Sequence, residues 1–310
     1  MERVEVAAAV ILRPDGGFLL GRRPPSGFYP GYWEFPGGKV EPNETPTDAL
    51  CRELKEELGI KVELAYPWIT REFHYPHANV RLHFFRVLRW SGDLRLLQHD
   101  ALEWQRADRL TVSPLLPANA PVLAALGLPD FYAISHADEI GIDHQLEILA
   151  EKLKRGLRLV QLRETRLATR ERAAFVSAAV AICHRFSARV LVSAEEELAE
   201  NAGADGVHLP AVGLMSHSAR PAFPLVAASC HDERELAQAA SLGLDFVVLG
   251  PVKETASHPG KPGLGWDNFA RLIANYPLPV YALGGLTSDD REAALAAGAH
   301  GIAAIRAAWV

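Results

Sequence analysis

The chain has 310 residues, three cysteines and a formal net charge of −6 at pH 7. Tight binding to a nucleic-acid backbone needs a basic surface, so this acidic balance argues against nucleic acid as a partner. Widely spaced cysteines without a CxxC pair indicate a reducing cytoplasm and neither a disulfide framework nor a zinc site. The start lacks the features of a signal peptide, and no apolar run is long enough to cross a membrane.

The first part of the chain, residues 1–128, alternates strand-like segments with turns and contains one strong helical segment. The strand-like segments are VEVAAAVIL, GFLLGRR, KVELAYPWITREF and VRLHFFRVLRW. The helical segment covers 47–58; Thr45 or Thr47 can cap its start, and Gly59 fits a left-handed residue after its end. This mixture predicts a curved mixed sheet with few helices.

Three glutamates of the helical segment, Glu53, Glu56 and Glu57, stand at positions i, i+3 and i+4 and therefore share one face. Crowded carboxylates repel one another unless a cation lies among them. Carboxylate oxygens suit Mg²⁺ or Mn²⁺, and bound Mg²⁺ often shares its coordination shell with substrate phosphates. The pattern predicts either a divalent-metal site that acts on a diphosphate or a solvent-exposed helix face with i, i+4 charge pairs.

Residues 37–60, GGKVEPNETPTDALCRELKEELGI, fit the spacing Gly-x5-Glu-x7-Arg-Glu-Leu-x-Glu-Glu-x-Gly-Ile and resemble the Nudix box of the Nudix hydrolases. The resemblance implies an α/β/α sandwich that cleaves a nucleoside diphosphate linked to another group. It implies that Arg52 orients the glutamates, that Glu44 braces the loop, and that Glu53 is the general base, with Arg52 and Glu56 as the other catalytic residues. The implied metal ligands are the Gly37 carbonyl, Glu53, Glu56 and Glu57.

Outside this box the sequence is similar to the mutator-type (MutT) 8-oxo-dGTP diphosphatases, through GRRP, WEFPGGKVE and LLPANAPVLAAL. The resemblance implies that Asn119, in the PAN segment, reads an oxidised purine, and that Arg23, Phe35 and Tyr75 line the same pocket. From the residue types alone, Asn119 also fits a helix N-cap, Arg23 an exposed strand-edge charge, and Phe35 the core.

One position departs from the mutator-type pattern. That subfamily usually has a further carboxylate in the loop near LLQHDALEW, where this chain has Gln98. We expect either that Asp100 or Glu103 reaches the metal instead, or that the site works with fewer ligands.

The second part, residues 129–310, alternates short apolar runs with helical segments. Eight such runs begin near FYAIS, RLVQLR, RVLVS, GVHL, LVAAS, FVVLG, PVYALGG and GIAAI. Eight strands, each followed by a helix, predict a (β/α)8 TIM barrel, which the short third and fourth crossovers make compact. A doubly wound sheet is the alternative. Gly127 and Pro129 mark the boundary between the two parts.

Several segments of this second part resemble thiamine-phosphate synthase and its relative, the thiazole tautomerase (TenI-like). These segments are GLRLVQLRETRL, GADGVHLP, LGPVKETASHPG and YALGGL. The resemblance implies contacts with a pyrimidine diphosphate and a phosphate loop, and the glycines after the seventh strand expose N–H groups where barrels bind phosphate. The candidate ligand-binding residues are Gln161, Arg163, His208, Thr255, Ser257, Gly284 and Gly285.

Two histidines of the barrel have a second possible function. His208 and His231 could move protons in a tautomerase-like reaction, and His208 also fits a buried histidine at a strand end.

Other barrel positions depart from the synthase pattern. Thr165 and His258 stand where the synthase has lysines, Ser193 and Ala194 replace an Asn-Asp pair that contains a metal ligand, and Arg306 replaces a serine. Loss of a carboxylate and two cations predicts that metal-assisted diphosphate displacement is disabled.

Together these patterns lead to three hypotheses. The first is a Mg²⁺-dependent diphosphatase (Mn²⁺ as an alternative) that converts 8-oxo-dGTP to 8-oxo-dGMP and pyrophosphate, in nucleotide-pool sanitation linked to DNA replication and repair. The second is hydrolysis of a thiamine-pathway diphosphate next to a tautomerase-like barrel. The third is a non-catalytic protein that binds phosphometabolites. We expect small-molecule partners, with a thiamine-precursor phosphate possible in the barrel, no membrane partner, and a homo-oligomer as an open possibility.

Overall fold

The computed structural model describes residues 3–255, 260 and 262–310. The chain divides into two compact units, Met1–Leu128 with Ala274–Pro277, and Pro129–Ile273 with Leu278–Val310. Within the described residues, no helix combines the length and the apolar character needed to span a membrane.

The first unit builds two sheets and two helices from its described residues. In chain order these are β1 (Arg3–Ile11), β2 (Phe18–Arg22), β3 (Trp33–Glu34), β4 (Gly37–Lys39), α1 (Pro46–Leu58), β5 (Lys61–Tyr75), β6 (Ala78–Ser91), β7 (Ala101–Gln105) and α2 (Ala120–Leu126). One sheet has the order β4-β1-β6-β5 and the other β3-β2-β7. The first sheet is mixed, because β1 runs parallel to β6 but antiparallel to β4.

Strand β1 explains how the layers stack. Successive side chains of a strand point to opposite faces, and Ala7, Ala9 and Ile11 pack into the same apolar cluster as Leu50 and Leu54 of α1. Its intervening residues pack into a second cluster that includes buried residues of α2, namely Val122 and Leu123. The sheet therefore lies between two helices, which confirms the predicted α/β/α sandwich.

Helix α1 is capped by Thr45 rather than Thr47. The Thr45 side chain accepts a hydrogen bond from the Asp48 N–H, and the Asp48 carboxylate accepts one from the Thr45 backbone N–H, forming a capping box. At the other end Gly59 has φ 70°, the left-handed conformation that glycine adopts without strain. The two ends fix the helix, and hence its glutamates, beside β4.

The second unit is a closed parallel barrel. Its described strands are β8 (Phe131–Ile134), β9 (Leu159–Leu162), β10 (Arg189–Ser193), β11 (Gly206–Leu209), β12 (Leu225–Cys230), β13 (Phe246–Leu249), β14 (Val280–Leu283) and β15 (Gly301–Ala304). Its helices are α3 (Ala137–Ile140), α4 (Ile142–Lys154), α5 (Thr169–Arg185), α6 (Glu196–Ala202), α7 (Ala211–Ser216), α8 (Glu233–Ser241), α9 (Gly265–Ile273) and α10 (Arg291–Ala296).

All eight predicted strands are present, and β15 pairs with β8 to close the barrel. The alternative of a doubly wound sheet is therefore wrong. Helices α6 and α7, with 7 and 6 residues, account for the short crossovers. Aromatic rings fill the interior: Phe246 lies 5.2 Å from Tyr132 and 5.1 Å from Tyr281 between ring centres. The barrel is a packed core whose strand ends are free to build a site.

Candidate functional site

Arg52 organises the acidic face of α1. Its guanidinium donates to both carboxylate oxygens of Glu44, at 3.0 and 2.9 Å, and to Glu53 Oε1 at 2.8 Å. The same group lies 3.6 Å from Glu56 Oε2. Hydrogen bonds from Arg52 to Glu44 and Glu53 raise the pKa of the guanidinium. Glu44 also accepts a hydrogen bond from the Glu41 N–H at 3.0 Å, so it fixes the loop before the helix.

Glu57 is the buried member of the acidic face. Its side chain accepts a hydrogen bond from the Gly37 N–H at 2.9 Å, and the residue is only 8% exposed. Burial raises the pKa of the Glu57 carboxyl to about 7, against the lowering effect of His99 and of the Gly37 N–H. A carboxylate held in such a place favours a cation as a neighbour.

The donor set suits a divalent metal in its chemistry. It consists of carboxylate and carbonyl oxygens, the ligands of Mg²⁺ and Mn²⁺. A Cβ added at Gly38 would lie 2.2 Å from Glu53 Oε1, so glycine there lets the carboxylate approach the loop. In the described part of the chain, however, no three His, Cys, Asp or Glu side chains are grouped closely enough to hold a metal ion. The predicted ligands are thus neighbours that must rotate to converge.

Tyr75 lies close to the PAN segment, and Arg23 is near enough to Tyr75 to interact with it electrostatically. Arg23 donates to both oxygens of Glu34, at 3.0 and 2.7 Å, and to the carbonyl of Phe28 at 2.8 Å. Burial raises the pKa of Tyr75 to about 12, and its hydroxyl is hydrogen-bonded to the backbone of Ala118. Of the predicted pocket residues, Tyr75 therefore meets the segment that carries Asn119, and Arg23 interacts electrostatically with Tyr75.

Asn119 is buried and has an unused donor. It is 3% exposed, and among the described residues its Nδ2 has no hydrogen-bond partner. Its side chain makes no capping bond at the start of α2, so the interpretation as a side-chain N-cap is wrong. Since an unpaired buried polar group costs about 1–3 kcal/mol, a ligand that offers an acceptor here would gain that amount. Phe35 lies in the core, 5.9 Å from both Phe18 and Phe84 between ring centres.

A group of aromatic rings near Tyr75 was not predicted. Phe28 stacks on His77 with ring centres 4.0 Å apart and planes 1° from parallel, although Phe28 is 61% exposed. Tyr29 lies 5.4 Å from Tyr75 and has φ 56°, an uncommon value for a residue with a side chain. Such rings offer stacking faces to a nucleobase. The string SGFYPGYW contains the signal, but its glycines suggest only a loop.

The loop between β6 and β7 and the start of β7 contain the polar residues around the position of the mutator-type carboxylate. Gln98 and Glu103 are exposed, and Asp100 forms an ion pair with Arg22 at 3.2 Å. The buried residue of this stretch is His99, 7% exposed, with Nε2 at 3.7 Å from Glu34 Oε1. Burial opposes protonation of His99, but the neighbouring Glu34 and Glu57 carboxylates raise its pKa overall.

The barrel contains a cavity of about 490 Å³ at the carboxyl ends of its strands. Five predicted residues line it, namely Gln161, Arg163, Thr255, Gly284 and Gly285. Gly284 has φ 108° and Gly285 φ 63°, so both need glycine. The Thr255 hydroxyl is buried and lacks a partner within the described residues. The predictions for Ser257 and His258 concern positions outside the described residues.

His208 lies behind this cavity rather than in it. It is 1% exposed and shares hydrogen bonds with the Tyr132 hydroxyl at 3.2 Å and with Ser229 Oγ at 2.9 Å. Burial lowers its pKa to about 3, so the ring is neutral. These contacts are those of a buried strand-end histidine. His231, by contrast, lines the cavity and hydrogen-bonds to Glu235 at 2.9 Å.

The substituted positions of the synthase pattern lie at the same end of the barrel. Ser193 lines the cavity, and Ala194 beside it has φ 65°, a conformation in which Asn and Asp are more common than Ala. Arg306 lines the cavity too and donates to both oxygens of Glu139, at 3.0 and 2.6 Å. The site thus keeps cations and N–H groups but has no carboxylate where the pattern has its metal ligand.

Comparisons with known proteins assign both units. Residues 1–126 match the family model described as NUDIX domain, and residues 131–308 match the model described as Thiamine monophosphate synthase. The first region is 40% identical to the CTP pyrophosphohydrolase of Escherichia coli (strain K12) over 125 residues, which cover 40% of this chain and 92% of that protein.

Two further relatives extend this result. An 8-oxo-dGTP diphosphatase of Escherichia coli (strain K12) is 32% identical over 126 residues, covering 41% of this chain and 98% of that protein. A putative thiamine-phosphate synthase 2 of Aquifex aeolicus (strain VF5) is 34% identical over 180 residues, covering 57% of this chain and 96% of that protein. The chain therefore belongs to the Nudix hydrolases through its first part and to the thiamine-phosphate synthase family through its second.

Proposed function

We propose that the first domain, residues 1–128, is a Mg²⁺-dependent nucleoside triphosphate diphosphatase whose preferred substrate is 8-oxo-dGTP. The buried Asn119 Nδ2, which has no hydrogen-bond partner among the described residues, carries this proposal, because it offers a donor in the segment that Tyr75 contacts at Ala118. A site built around such a hydrogen bond rejects bases that leave it unmade. The similarity to an 8-oxo-dGTP diphosphatase supports the same assignment.

In this reaction water attacks the β-phosphorus, the bond from that phosphorus to the bridging oxygen breaks, and 8-oxo-dGMP leaves while pyrophosphate forms. Glu53 takes the proton from water, and Arg52 holds Glu53 and Glu56 on the side that faces the loop. Nudix hydrolases generally use Mg²⁺, which when bound to Glu53, Glu56, Glu57 and the Gly37 carbonyl neutralises phosphate charge. Arg23 adds a cation at the base side.

Two alternative substrates are each favoured by a specific observation. One relative with 40% identity is named a CTP pyrophosphohydrolase, which favours a pyrimidine triphosphate. The fusion to a thiamine-phosphate-synthase-like barrel favours a diphosphate of the thiamine pathway. A chain that only binds phosphometabolites remains the third candidate.

For the second domain, residues 129–310, we propose binding of a phosphorylated ligand such as a thiamine-precursor phosphate, without synthase activity. Arg163, the buried Thr255 hydroxyl, and the backbone N–H groups of Gly284 and Gly285 line one cavity and suit a phosphate. Ala194, where the synthase pattern has an acid, removes the ligand that metal-assisted displacement needs.

The test is an assay of the full chain with Mg²⁺ against 8-oxo-dGTP, dGTP, CTP, hydroxymethylpyrimidine diphosphate and thiamine diphosphate, with the Glu53→Gln variant as control. We expect the highest kcat/KM for 8-oxo-dGTP and loss of that turnover in the variant. Preference for CTP, or turnover of only the last two compounds, would overturn the proposal in favour of the corresponding alternative. If the Glu53→Gln change abolishes turnover of none of the five compounds, the result favours a binding protein.

The cellular context also stays a proposal. Cleansing of the nucleotide pool in support of DNA replication and repair follows from the 8-oxo-dGTP assignment. Three free cysteines suit a reducing cytoplasm.

A further inference from the structure

His99 is buried beside the carboxylate of Glu34 and interacts electrostatically with that of Glu57. It is 7% exposed, its Nε2 lies 3.7 Å from Glu34 Oε1, and its charge interacts with Glu57. Within the described residues, His99 Nδ1 has no hydrogen-bond partner. Histidines in purely structural positions usually have their polar atoms satisfied. The position of the His99 ring is instead set by the charges of Glu34 and Glu57 and by the space beside Gly21.

Glycine at position 21 makes room for the ring. A Cβ added at Gly21 would lie 2.3 Å from His99 Cδ2 and 2.5 Å from Nε2, closer than any real contact. Gly21 lies in the middle of β2 and pairs with Glu34 on β3. Glycine inside a strand weakens the strand and marks a site where another group approaches closely. The absence of a side chain at position 21 thus allows His99 to lie against β2.

The two carboxylates beside His99 belong to different parts of the candidate site. Glu34 accepts two hydrogen bonds from Arg23, a residue of the predicted base pocket. Glu57 accepts the hydrogen bond from the Gly37 N–H, on the side of the proposed metal ligands. His99 lies 3.7 Å from Glu34 and interacts electrostatically with Glu57, so it acts on one residue of each group.

We propose that His99 is a positioning residue for nucleotide hydrolysis, which holds Glu34 and Glu57 in register so that Arg23 and the metal ligands are set together. The inference rests on the proposed function of this unit. It accounts for a site without a carboxylate at Gln98, because the neighbouring His99 supports the proposed ligand Glu57 through its charge. Residues that orient metal ligands in this way are typically worth about 10–100-fold in metal affinity or activity.

The test is a double-mutant cycle on the full chain with His99→Ala, Gly21→Ala and both changes combined. Gly21→Ala displaces the ring without removing a polar group. We measure Mg²⁺ affinity by calorimetry, kcat and KM for 8-oxo-dGTP, and thermal unfolding. Each single change should weaken Mg²⁺ binding and lower kcat about tenfold. The double variant should match His99→Ala, because without the ring a methyl group at position 21 meets nothing.

Two further variants separate positioning from folding. His99→Gln keeps bulk and a polar end and should recover most of the Mg²⁺ affinity. His83, whose Nε2 lies 2.7 Å from Glu5 Oε2, is the matched control, and His83→Ala should leave Mg²⁺ affinity and kcat unchanged.

The outcomes distinguish this inference from the proposed function. If the wild-type chain hydrolyses no nucleotide, the proposed function fails, and the calorimetric cycle still decides on His99. If the wild-type chain is active while His99→Ala binds Mg²⁺ as tightly and turns over as fast, the inference is overturned. Additive effects, in which the double variant loses more Mg²⁺ affinity and kcat than His99→Ala alone, would overturn it as well.

Discussion

Each unit buries a histidine near its candidate site, but the surroundings of the two rings are opposite. His99 lies beside the carboxylates of Glu34 and Glu57, which raise its pKa despite burial. His208 lies between the hydroxyls of Tyr132 and Ser229, and burial lowers its pKa to about 3. The first unit keeps carboxylates beside its histidine, whereas the barrel histidine is hydrogen-bonded to neutral hydroxyls and its pKa is lowered by burial and by the Arg163 charge.

The same contrast holds for the residues at each site. Helix α1 presents Glu53, Glu56 and Glu57 with Arg52 among them. The barrel has Ser193 and Ala194 where the related pattern has Asn and Asp, but it keeps a cavity with N–H groups and arginines. The comparison teaches that the first unit keeps acidic side chains of the kind that metal-assisted chemistry requires, while the barrel lacks the acid of the related pattern and keeps arginines and N–H groups that suit a phosphate.

The largest expected effect is at Glu53. Glu53→Gln preserves size but removes the proposed base, so kcat for 8-oxo-dGTP should fall about 10²–10⁴-fold, the usual contribution of a general base. Steady-state kinetics measures this, with Glu63→Gln, an exposed residue of β5, as the control. Equal activity in both variants would show that Glu53 is not the general base, and the proposed catalytic difference between the first unit and the barrel would be lost.

Asn119→Ala should alter selectivity without lowering stability. The change removes the donor proposed to read the oxidised base, so the preference for 8-oxo-dGTP over dGTP should fall roughly tenfold or more. Because Nδ2 has no partner among the described residues, the free energy of unfolding should not decrease through loss of a hydrogen bond. Competition kinetics and thermal unfolding measure both. Reduced stability with unchanged selectivity would show that Asn119 serves only the fold.

Arg163→Ala should weaken binding in the barrel and leave hydrolysis intact. A charge-assisted hydrogen bond to phosphate is worth about 1.5–3 kcal/mol, so the Kd of a thiamine-precursor phosphate should rise at least about tenfold. Calorimetry measures the Kd, and Arg170→Ala, an exposed residue on α5, is the control. Identical affinities in the two variants would contradict binding at this cavity.

His208 should make the free energy of unfolding depend on pH in the acid range. Its pKa is about 3 in the folded chain and near 6.5 ordinarily, so the unfolded chain takes up the proton first. The contribution of the neutral ring to stability is therefore complete above pH 6.5 and is lost as the pH falls towards 3. Its slope reaches about 1.4 kcal/mol per pH unit. Denaturant unfolding should show this slope in the wild type relative to His208→Gln, and parallel curves would contradict it.

The barrel strands could be predicted because each is a short apolar run. A strand that is buried on both faces is apolar throughout, so it can be recognised from its own residues alone. Helix α1 could be predicted as well, from its acidic face and from Gly59. The choice between Thr45 and Thr47 could not, since both hydroxyls fit the pattern and only the capping box with Asp48 decides.

The residues missed from the sequence depend on distant contacts. His99 lies next to Gln98, where the mutator-type pattern has a carboxylate. The proposed role of His99 depends on its contacts with Gly21 and Glu34, which are far away in the chain. The stack of Phe28 on His77 likewise joins two loops. Local periodicity contains no information about such pairs, although the glycine inside β2 is a usable signal.

The central claim is that the acidic face of α1 gathers a divalent cation. Titration of the full chain with Mn²⁺, followed by electron paramagnetic resonance, tests it most directly. We predict saturable Mn²⁺ binding that weakens at least about tenfold in Glu57→Gln and stays unchanged in Glu63→Gln. Equal Mn²⁺ affinity in wild type and Glu57→Gln would contradict the account.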